Sequence, residues 1–471
     1  MNAPTPSAPP SPSLWADLRA ALRGSSADYT RIPLKRAVFL LAVPMVLELV
    51  LESSFAVVDI FFVAQLGPSA VATVGLTETY LFLLYAVAMG LAMAVTAVVA
   101  RRVGEHRADE AALSAVQAVA LAVLVSVPVA AAGIFWAQDL LRLMGADAWV
   151  VEHGYRYTQW MLGGNGVILL LFVINAVFRG AGDAAAAMHV LWVANLLNIV
   201  LDPLLIFGWG PVPAMGIEGA AIATNIGRGA GVLLQLFILL RGTQHLRLGV
   251  ASLCWHGATM LHIVRTSLGG IGQMIVAMTA WIFLMRILAS LSTEAVAGAT
   301  IAMRVMMFTL MPAWGMSNAA ATLVGQNLGA GQPARAEAAV WRIGWMNMVF
   351  TVAVSVAFFV WHDAIVALFT DDARVIAIGG EWLSILAWSY FVYGWWMVAV
   401  QAFNGAGDTM TPTWINLVFF WLLQIPLSWA LAVPLGWAHS GVFWGVFVSE
   451  TAVGLFTLWL FSRGRWKGAQ V

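Results

Sequence analysis

VFRGAGDAAAAMHVLWVANLLNIVLDPLLIFG (residues 177–208) is the stretch that decides how this chain folds. It is apolar and long enough to cross a bilayer as a helix, yet its middle carries Asn195, Asn198 and Asp202. These residues are three and four positions apart, so they share one helical face. A carboxylate at the membrane centre costs at least about 2.5 kcal/mol, which makes Asp202 a functional candidate. Pro203 removes a backbone donor beside this acid and frees carbonyl groups that a cation could use.

The composition places the whole chain in a membrane. Of 471 residues 61% are hydrophobic and only 10% charged, and the mean hydropathy is +0.87, so a soluble globule is excluded. The net charge is zero, and no nucleic-acid partner is expected. Cys254 is the only cysteine, which excludes an internal disulfide and a thiolate metal cluster. The N-terminal segment 1–35 lacks the pattern of a cleavable signal peptide, and its residues 14–22 predict either a surface helix or a mobile tail.

Twelve apolar runs predict an all-α membrane protein with twelve transmembrane helices. They lie at about 38–64, 70–99, 112–136, 155–178, 186–208, 217–240, 262–290, 295–323, 338–361, 376–402, 412–434 and 441–462. With a cytoplasmic N-terminus, the far side receives only Arg142, Arg156 and Arg374, and the other loop and tail arginines and lysines are cytoplasmic. The positive-inside rule therefore predicts that both termini are cytoplasmic.

An internal repeat with an offset of 225 residues divides the chain into two lobes. This offset aligns residues 99–104 (VARRVG) with 324–329 (VGQNLG), and 178–183 (FRGAGD) with 403–408 (FNGAGD). Two parallel six-helix lobes follow, with a cavity expected between them. The expected division is a tail at 1–35, lobes at 36–240 and 261–462, a cytoplasmic connection at 241–260 and a tail at 463–471.

The repeat also predicts that the two lobes differ in chemistry. At the same offset Asp202 aligns with Leu427, Asn198 with Leu423 and Asp59 with Leu284, which predicts that intramembrane acids are confined to the N-terminal lobe. The repeated Gly-Ala-Gly-Asp sequence is typical of a helix end and a following cap, and less so of a phosphate site.

An acidic stripe marks the first span. Glu48, Glu52 and Asp59 lie on one helical face, which must point into the protein or into a wet cavity. Closely placed carboxylates in a medium of low dielectric constant cannot all ionise cheaply, which suits proton exchange. The alternative is structural pairing of these acids with the arginines inside predicted spans, which are Arg228, Arg286 and Arg304. Glu78, near the start of the second span, is a weaker candidate.

Several motifs together resemble the multidrug and toxic compound extrusion (MATE) family. They are Pro44 with Asp59 fifteen residues later, VAQLG (63–67), NIVLDPLLIFG (198–208), GAAIAT (219–224), VGQNLGAG (324–331) and FNGAGD (403–408). The resemblance implies a twelve-helix antiporter that exports organic cations or drugs by alternating access in exchange for protons or sodium ions. It places the coupling cation at Asp59, Asn198, Asp202 and Thr224, with a possible sodium site at Asp59, Asn198 and Asp202.

The resemblance also suggests which residues line the substrate cavity. The expected cavity residues are Glu48, Glu52, Glu78, Gln273 and Arg304. Gln273 stands where one branch of the family has an acid, which is similar to the DNA-damage-inducible branch. Glu52 stands where many relatives carry Gln, and this departure leaves the coupling stoichiometry open.

Two other functions are weighed against export. A lipid-intermediate flippase of the same superfamily would carry a cationic cavity and further spans, and a membrane-embedded transferase would carry a polar active-site loop. The usual enzyme motifs are absent, as is a nucleotide-binding domain, so transport has to draw on an ion gradient. We therefore expect a transporter and no enzyme, without a cofactor beyond the coupling H⁺ or Na⁺, a monomer surrounded by membrane lipid.

Overall fold

The computed structural model describes residues 13–469, with the exception of 244, 245, 247 and 249. The described chain is built from helices. They are α1 Leu14–Arg23, α2 Leu34–Ala64, α3 Pro68–Gly104, α4 Ala108–Leu143, α5 Tyr155–Gly163, α6 Asn165–Ala181, α7 Ala184–Phe207, α8 Ile217–Arg241, α9 Gly257–Ala289, α10 Thr293–Gly329, α11 Pro333–Ala367, α12 Ala373–Ala387, α13 Tyr390–Ala406, α14 Met410–Asn416, α15 Ile425–Ala432 and α16 Ala438–Ser462. Two π-helical segments, Val150–Gly154 and Leu417–Gln424, precede α5 and α15, and 3₁₀ turns occupy Val250–Leu253 and Arg465–Gly468.

The membrane spans agree with the sequence pattern. Among the described residues, ten continuous helical segments are long and apolar enough to cross a bilayer, and α12 with α13, bent by 62°, makes an eleventh. The 31-residue helix α2 is also longer than the about 20 residues that a span requires, so counting it gives the predicted twelve. The N-terminal stretch 14–22, for which two states were open, is the helix α1, and its Asp17 pairs with Arg36 of α2 at 2.8 Å.

Backbone geometry repeats with the offset of 225 residues. Gly182 and Gly407 end α6 and α13 with φ of +88° and +90°, a left-handed conformation that glycine adopts without a steric penalty. Trp136 and Trp361 break α4 and α11 with φ of −123° and −121°. The two-lobe repeat predicted from the sequence is therefore confirmed in the conformation of the chain.

The Gly-Ala-Gly-Asp segments are helix-end turns, as predicted. The side chain of Asp183 accepts a hydrogen bond of 3.3 Å from the N–H of Ala186 at the start of α7. Asp408 accepts one of 3.1 Å from the N–H of Thr411. Both acids thus satisfy backbone donors that the first turn of a helix leaves unpaired.

The repeat changes register in the last two spans. Gly219 of α8 packs against the backbone of Leu205 and Ile206, and Gly441 of α16 packs in the same way against Leu431 and Ala432. These equivalent contacts align α7 with α15 at an offset of 226 residues. They align α8 with α16 at an offset of 222 residues.

The π-helical segment Leu417–Gln424 explains the first of these changes, because a π-bulge accommodates one extra residue in a helix. Asp202 and Asn198 therefore correspond to Ser428 and Gln424, and the predicted correspondence with Leu427 and Leu423 is wrong. The constant offset of 225 residues therefore applies only up to the π-helical segment Leu417–Gln424.

The lobes are joined most closely at the end of the molecule where α6 and α10 finish. Gln326 of the C-terminal lobe donates a hydrogen bond of 3.0 Å to the carbonyl of Gly180, and Thr322 donates one of 3.1 Å to the carbonyl of Arg179. Gln326, Thr322 and Gly180 are buried. Direct bonds between the lobes at this end hold them closed there.

Candidate functional site

The polar face of α7 is buried in the N-terminal lobe. Asn195 is 5% exposed, Asn198 2% and Asp202 0%. In the orientation that satisfies its neighbours, the amide of Asn198 donates a hydrogen bond of 2.8 Å from Nδ2 to Oδ2 of Asp202. Its Oδ1 accepts a bond of 3.0 Å from the backbone N–H of Thr224 on α8. Three of the four residues expected to bind the coupling cation are therefore linked in one network.

The fourth residue, Asp59, approaches this network from α2. Its carboxylate repels the carboxylate of Asp202. Asp59 itself is attracted by the charge of Arg228 and repelled by the charge of Glu78. Asp59 is half-buried, and it makes no hydrogen bond with the described part of the chain. A carboxyl group in this position has free oxygen lone pairs that a proton or another cation can occupy.

Arg228 of α8 is the basic residue of the site. It is 7% exposed and donates a hydrogen bond of 3.2 Å to Oε1 of Glu52. Its guanidinium lies 5.7 Å from the ring centroid of Phe55 and also interacts with Asp59. Arg228 thus balances the charge of Glu52, whereas Asp59 and Asp202 have no basic side chain in direct contact among the described residues.

Glu48 is part of a separate buried network. It is 2% exposed, and its Oε1 accepts bonds of 2.8 Å from Arg179 and 3.3 Å from Asn175. Arg179 belongs to the last turn of α6, although the sequence pattern placed it in a connection. The structural alternative for the acidic stripe thus describes the contact of Glu52 with Arg228, and Glu48 is also paired, but with an arginine outside the predicted spans. A cavity role for these two acids stays a prediction.

A cavity of about 130 Å³ lies between the lobes. Apolar side chains, including Trp314 and Phe172, form most of its lining, and the polar lining residues are Thr96, Arg179, Asn318, Gln401 and Asn404. None of the five predicted cavity residues lines it directly, although Gln273 exchanges hydrogen bonds of 3.4 Å with Asn404 and Glu48 pairs with Arg179. Ligand pockets typically enclose about 300–1,000 Å³, so a drug-sized substrate requires the lobes to separate further.

Glu78 and Arg304 are exposed and lie one on each lobe. Glu78 is in the first half of α3 and Arg304 in the first half of α10, away from the interlobe hydrogen bonds. Arg304 acts electrostatically on Glu78. These two predicted cavity residues therefore lie near each other, at the end of the molecule opposite the interlobe hydrogen bonds.

Sequence reasoning missed one buried acid, Glu450 of α16, which is 5% exposed. The expectation that intramembrane acids are confined to the N-terminal lobe is therefore wrong. The signal was present, since Glu450 lies inside the predicted span 441–462, but at the constant offset Glu450 is not the counterpart of Asp59, Asn198 or Asp202.

Comparison with known proteins identifies the family. The MatE family model matches residues 44–204 and 270–430, once in each lobe and over more than half of the chain. The chain is 26% identical over 437 residues to a probable multidrug resistance protein NorM of Thermotoga maritima, which covers 92% of this chain and 93% of that protein. It is also 26% identical over 403 residues to the FAD transporter of Shewanella oneidensis, with 84% and 88% covered.

Solved structures share the fold. A multidrug resistance MATE family transporter of the MOP superfamily, in an outward-facing conformation, matches 94% of this chain and 98% of its own with a TM-score of 0.86 and 24% identity. A MOP superfamily transporter from Pyrococcus furiosus, described as having a binding pocket of reverse polarity, matches with a TM-score of 0.85 and 23% identity over 94% and 98% of the two chains. The two-lobe helical structure and the matching of the family model in both lobes lead to one conclusion: this chain is a membrane protein of the MATE family of multidrug efflux transporters.

Proposed function

We propose that this protein exports organic cations or drugs across the cytoplasmic membrane by alternating access, in exchange for protons or sodium ions. One observation carries the proposal: Asp202 is fully buried within a membrane span, and its only hydrogen-bond partner among the described residues is the neutral amide of Asn198. A buried carboxylate without a basic partner in contact is costly, so it favours a bound proton or cation.

The coupling follows from competition for charge. A cationic substrate near Asp59 and Asp202 favours their ionised forms and so weakens the binding of a proton or sodium ion. The coupling ion, bound from the other side of the membrane, weakens substrate binding by the same factor. Arg228 limits the number of carboxylates that take part, because it is already paired with Glu52.

Sodium is a chemically suitable alternative to the proton. The carboxylates of Asp59 and Asp202, the amide of Asn198 and the hydroxyl of Thr224 offer oxygen atoms, the ligands that hard cations prefer. The side-chain amide of Asn198 lies 3.3 Å from the hydroxyl of Thr224 and 2.8 Å from Oδ2 of Asp202, so the oxygens of these three residues are close together. Which of the two ions is used decides whether the transport rate follows a pH gradient or a sodium gradient.

Several finer points belong to the same proposal. Both termini are cytoplasmic, the protein acts as a monomer in a bacterial inner membrane, and it belongs to the DNA-damage-inducible branch. Buried Gln273, paired with Asn404 in place of an acid, supports this branch. A lipid flippase is not favoured, because the similar proteins include probable multidrug resistance proteins and the chain has the twelve spans of an exporter.

A second substrate class is favoured by Arg179. Its guanidinium, whose charge Glu48 balances, borders the interlobe cavity together with the amides of Asn318, Gln401 and Asn404, and these donors suit a hydrogen-bonding aromatic molecule. One similar protein is a FAD transporter. Flavin dinucleotide export is therefore the second candidate function.

The test is transport into everted membrane vesicles or proteoliposomes under an imposed pH or sodium gradient. A panel of cationic drugs and flavin dinucleotides provides the substrates. Asp202→Asn should fold, because the amide has the same shape, but should abolish gradient-driven uptake of every substrate. Asp408→Asn, in a helix cap of the other lobe, is the matched control and should retain uptake. Near wild-type uptake by Asp202→Asn would contradict the proposed coupling site.

A further inference from the structure

Glu450 is a buried acid of the C-terminal lobe that the proposed coupling mechanism does not use. It is the thirteenth residue of the 25-residue helix α16, so it lies near the middle of a membrane span. It is 5% exposed, and within the described ranges it makes neither a hydrogen bond nor an ion pair.

The helices around Glu450 present uncharged groups to it. On α13, the ring hydroxyls of Tyr390 and Tyr393 lie within its electrostatic reach. Tyr390 shares a hydrogen bond of 2.8 Å with the hydroxyl of Thr309 and donates one of 3.2 Å to the carbonyl of Met306, so its phenol is held in place. The segment from Leu417 to Ala432, which also packs on α16, has no ionisable residue.

Charged side chains near the two ends of α16 contact groups other than Glu450. His439, at the first turn of α16, pairs with Glu381 of α12 at 3.1 Å, three helical turns before Glu450. Beyond the other end of α16, the guanidinium of Arg463 lies 4.4 Å from the ring centroid of Trp459, and Lys467 pairs with Glu337 at 2.6 Å. No described basic side chain therefore balances a charge on Glu450.

The register of the repeat shows what Glu450 replaces. Arg228 follows Gly219 by nine residues, and Glu450 follows Gly441, its counterpart, by the same number. The C-terminal lobe thus has an acid at the position where the N-terminal lobe has its buried arginine.

The partner of that arginine is not repeated. Arg228 is balanced by Glu52, whereas the residue 225 positions after Glu52 is Ala277 of α9. Glu450 is therefore not one half of a structural ion pair. An isolated ionised carboxylate is far more costly in such surroundings than a neutral carboxyl group.

We propose that Glu450 binds and releases a proton, as a second protonation site in the C-terminal lobe that is separate from Asp59 and Asp202. The carboxylate takes up one proton to become a neutral acid, and it returns that proton when the packing around α16 opens. A proton fits this site better than a metal ion, because one carboxyl oxygen suffices for it. The described residues contain no group of three or more metal-ligating His, Cys, Asp or Glu side chains.

Infrared spectroscopy of the purified full-length protein tests this proposal directly. At neutral pH the wild type should show the carbonyl band of a protonated carboxyl group that Glu450→Gln lacks. Glu381→Gln, in the same lobe and paired with His439, is the control and should retain the band. Superimposable wild-type and Glu450→Gln spectra at neutral pH would overturn the proposal.

A second variant keeps the test independent of the N-terminal site and of the folding of Glu450→Gln. Asp59→Asn/Asp202→Asn removes both proposed coupling acids but leaves Glu450 in place. The pH-dependent band assigned to Glu450 should persist in this variant. Its intensity should equal the part of the wild-type signal that Glu450→Gln lacks. Complete loss of protonated-carboxyl signal in it would show that Glu450 is ionised at neutral pH and would overturn the proposal.

Discussion

At the scale of single residues, the acids of the first span separate into two kinds by their partners. Glu48 and Glu52 each contact an arginine, at 2.8 Å and 3.2 Å, whereas Asp59 contacts none directly within the described part of the chain. An acid in a buried ion pair is a structural element, because removing either partner leaves an uncompensated charge. An acid without such a partner is free to exchange a cation.

Replacement of Glu48 should therefore reduce stability. Glu48→Met leaves the guanidinium of Arg179 without its carboxylate and should cost about 3 kcal/mol, the lower end for a buried pair because Arg179 also borders a cavity. Thermal unfolding of the purified protein in detergent measures the change. The double variant Glu48→Met/Arg179→Met should recover most of the loss.

An exposed ion pair provides the control for this prediction. Asp139 and Arg142 form a pair of 2.8 Å with side chains 64% and 58% exposed, so Asp139→Asn should change stability by about 0–1 kcal/mol. Equal effects of Glu48→Met and Asp139→Asn would contradict a structural role for Glu48.

At the scale of elements, the Gly-Ala-Gly-Asp turn of the C-terminal lobe shows how much a helix cap contributes to the stability of the protein. Asp408→Ala removes the acceptor for the N–H of Thr411 and should cost about 0.5–2 kcal/mol, whereas Asp408→Asn retains an acceptor and should cost much less. Gly407→Ala places a side chain at φ of +90° and should cost about 1–2 kcal/mol. The unfolding temperatures of the three variants give the order of their stabilities. If Asp408→Asn is as unstable as Asp408→Ala, the capping role of Asp408 is contradicted.

Elements also show how far the sequence can predict the site. Helix spans and the Gly-Ala-Gly-Asp turns follow from local patterns, and the polar face of α7 follows from residue spacing, so all of these were predicted. The register change at Leu417–Gln424 was not, because a π segment arises from packing and has no simple residue signature. The pairing of Glu48 with Arg179 joins residues 131 positions apart, and only tertiary structure can reveal it.

At the scale of the whole molecule, the hydrogen bonds from Gln326 and Thr322 hold the lobes together at one end. Loss of both should weaken this closed end by about 1–3 kcal/mol and shift the population towards the state that opens there. In Gln326→Ala/Thr322→Val, the opposite ends of the lobes should therefore approach each other.

Spin labels can measure this approach. Cys254 is the only cysteine and is exposed, so Cys254→Ser provides a background for labels at Gln65 and Ser290, exposed positions at the ends of α2 and α9. The distance between the labels should shorten in the double variant. It should stay unchanged in Thr457→Val, which removes a hydrogen bond within α16 only. If the distance between the labels stays unchanged in both variants, the end with Gln326 and Thr322 is not the closed end of the molecule.

The proposed coupling depends on competition between the drug and the coupling cation at Asp59 and Asp202. The most direct test is the affinity of the purified protein for a cationic drug, measured over a grid of pH and sodium concentration. In the wild type, the affinity should fall either as the pH falls or as sodium rises, because the coupling cation and the drug compete for the same carboxylates. In Asp59→Asn/Asp202→Asn this dependence should disappear. A wild-type affinity that responds to neither cation, or a response that persists unchanged without both acids, would contradict the account.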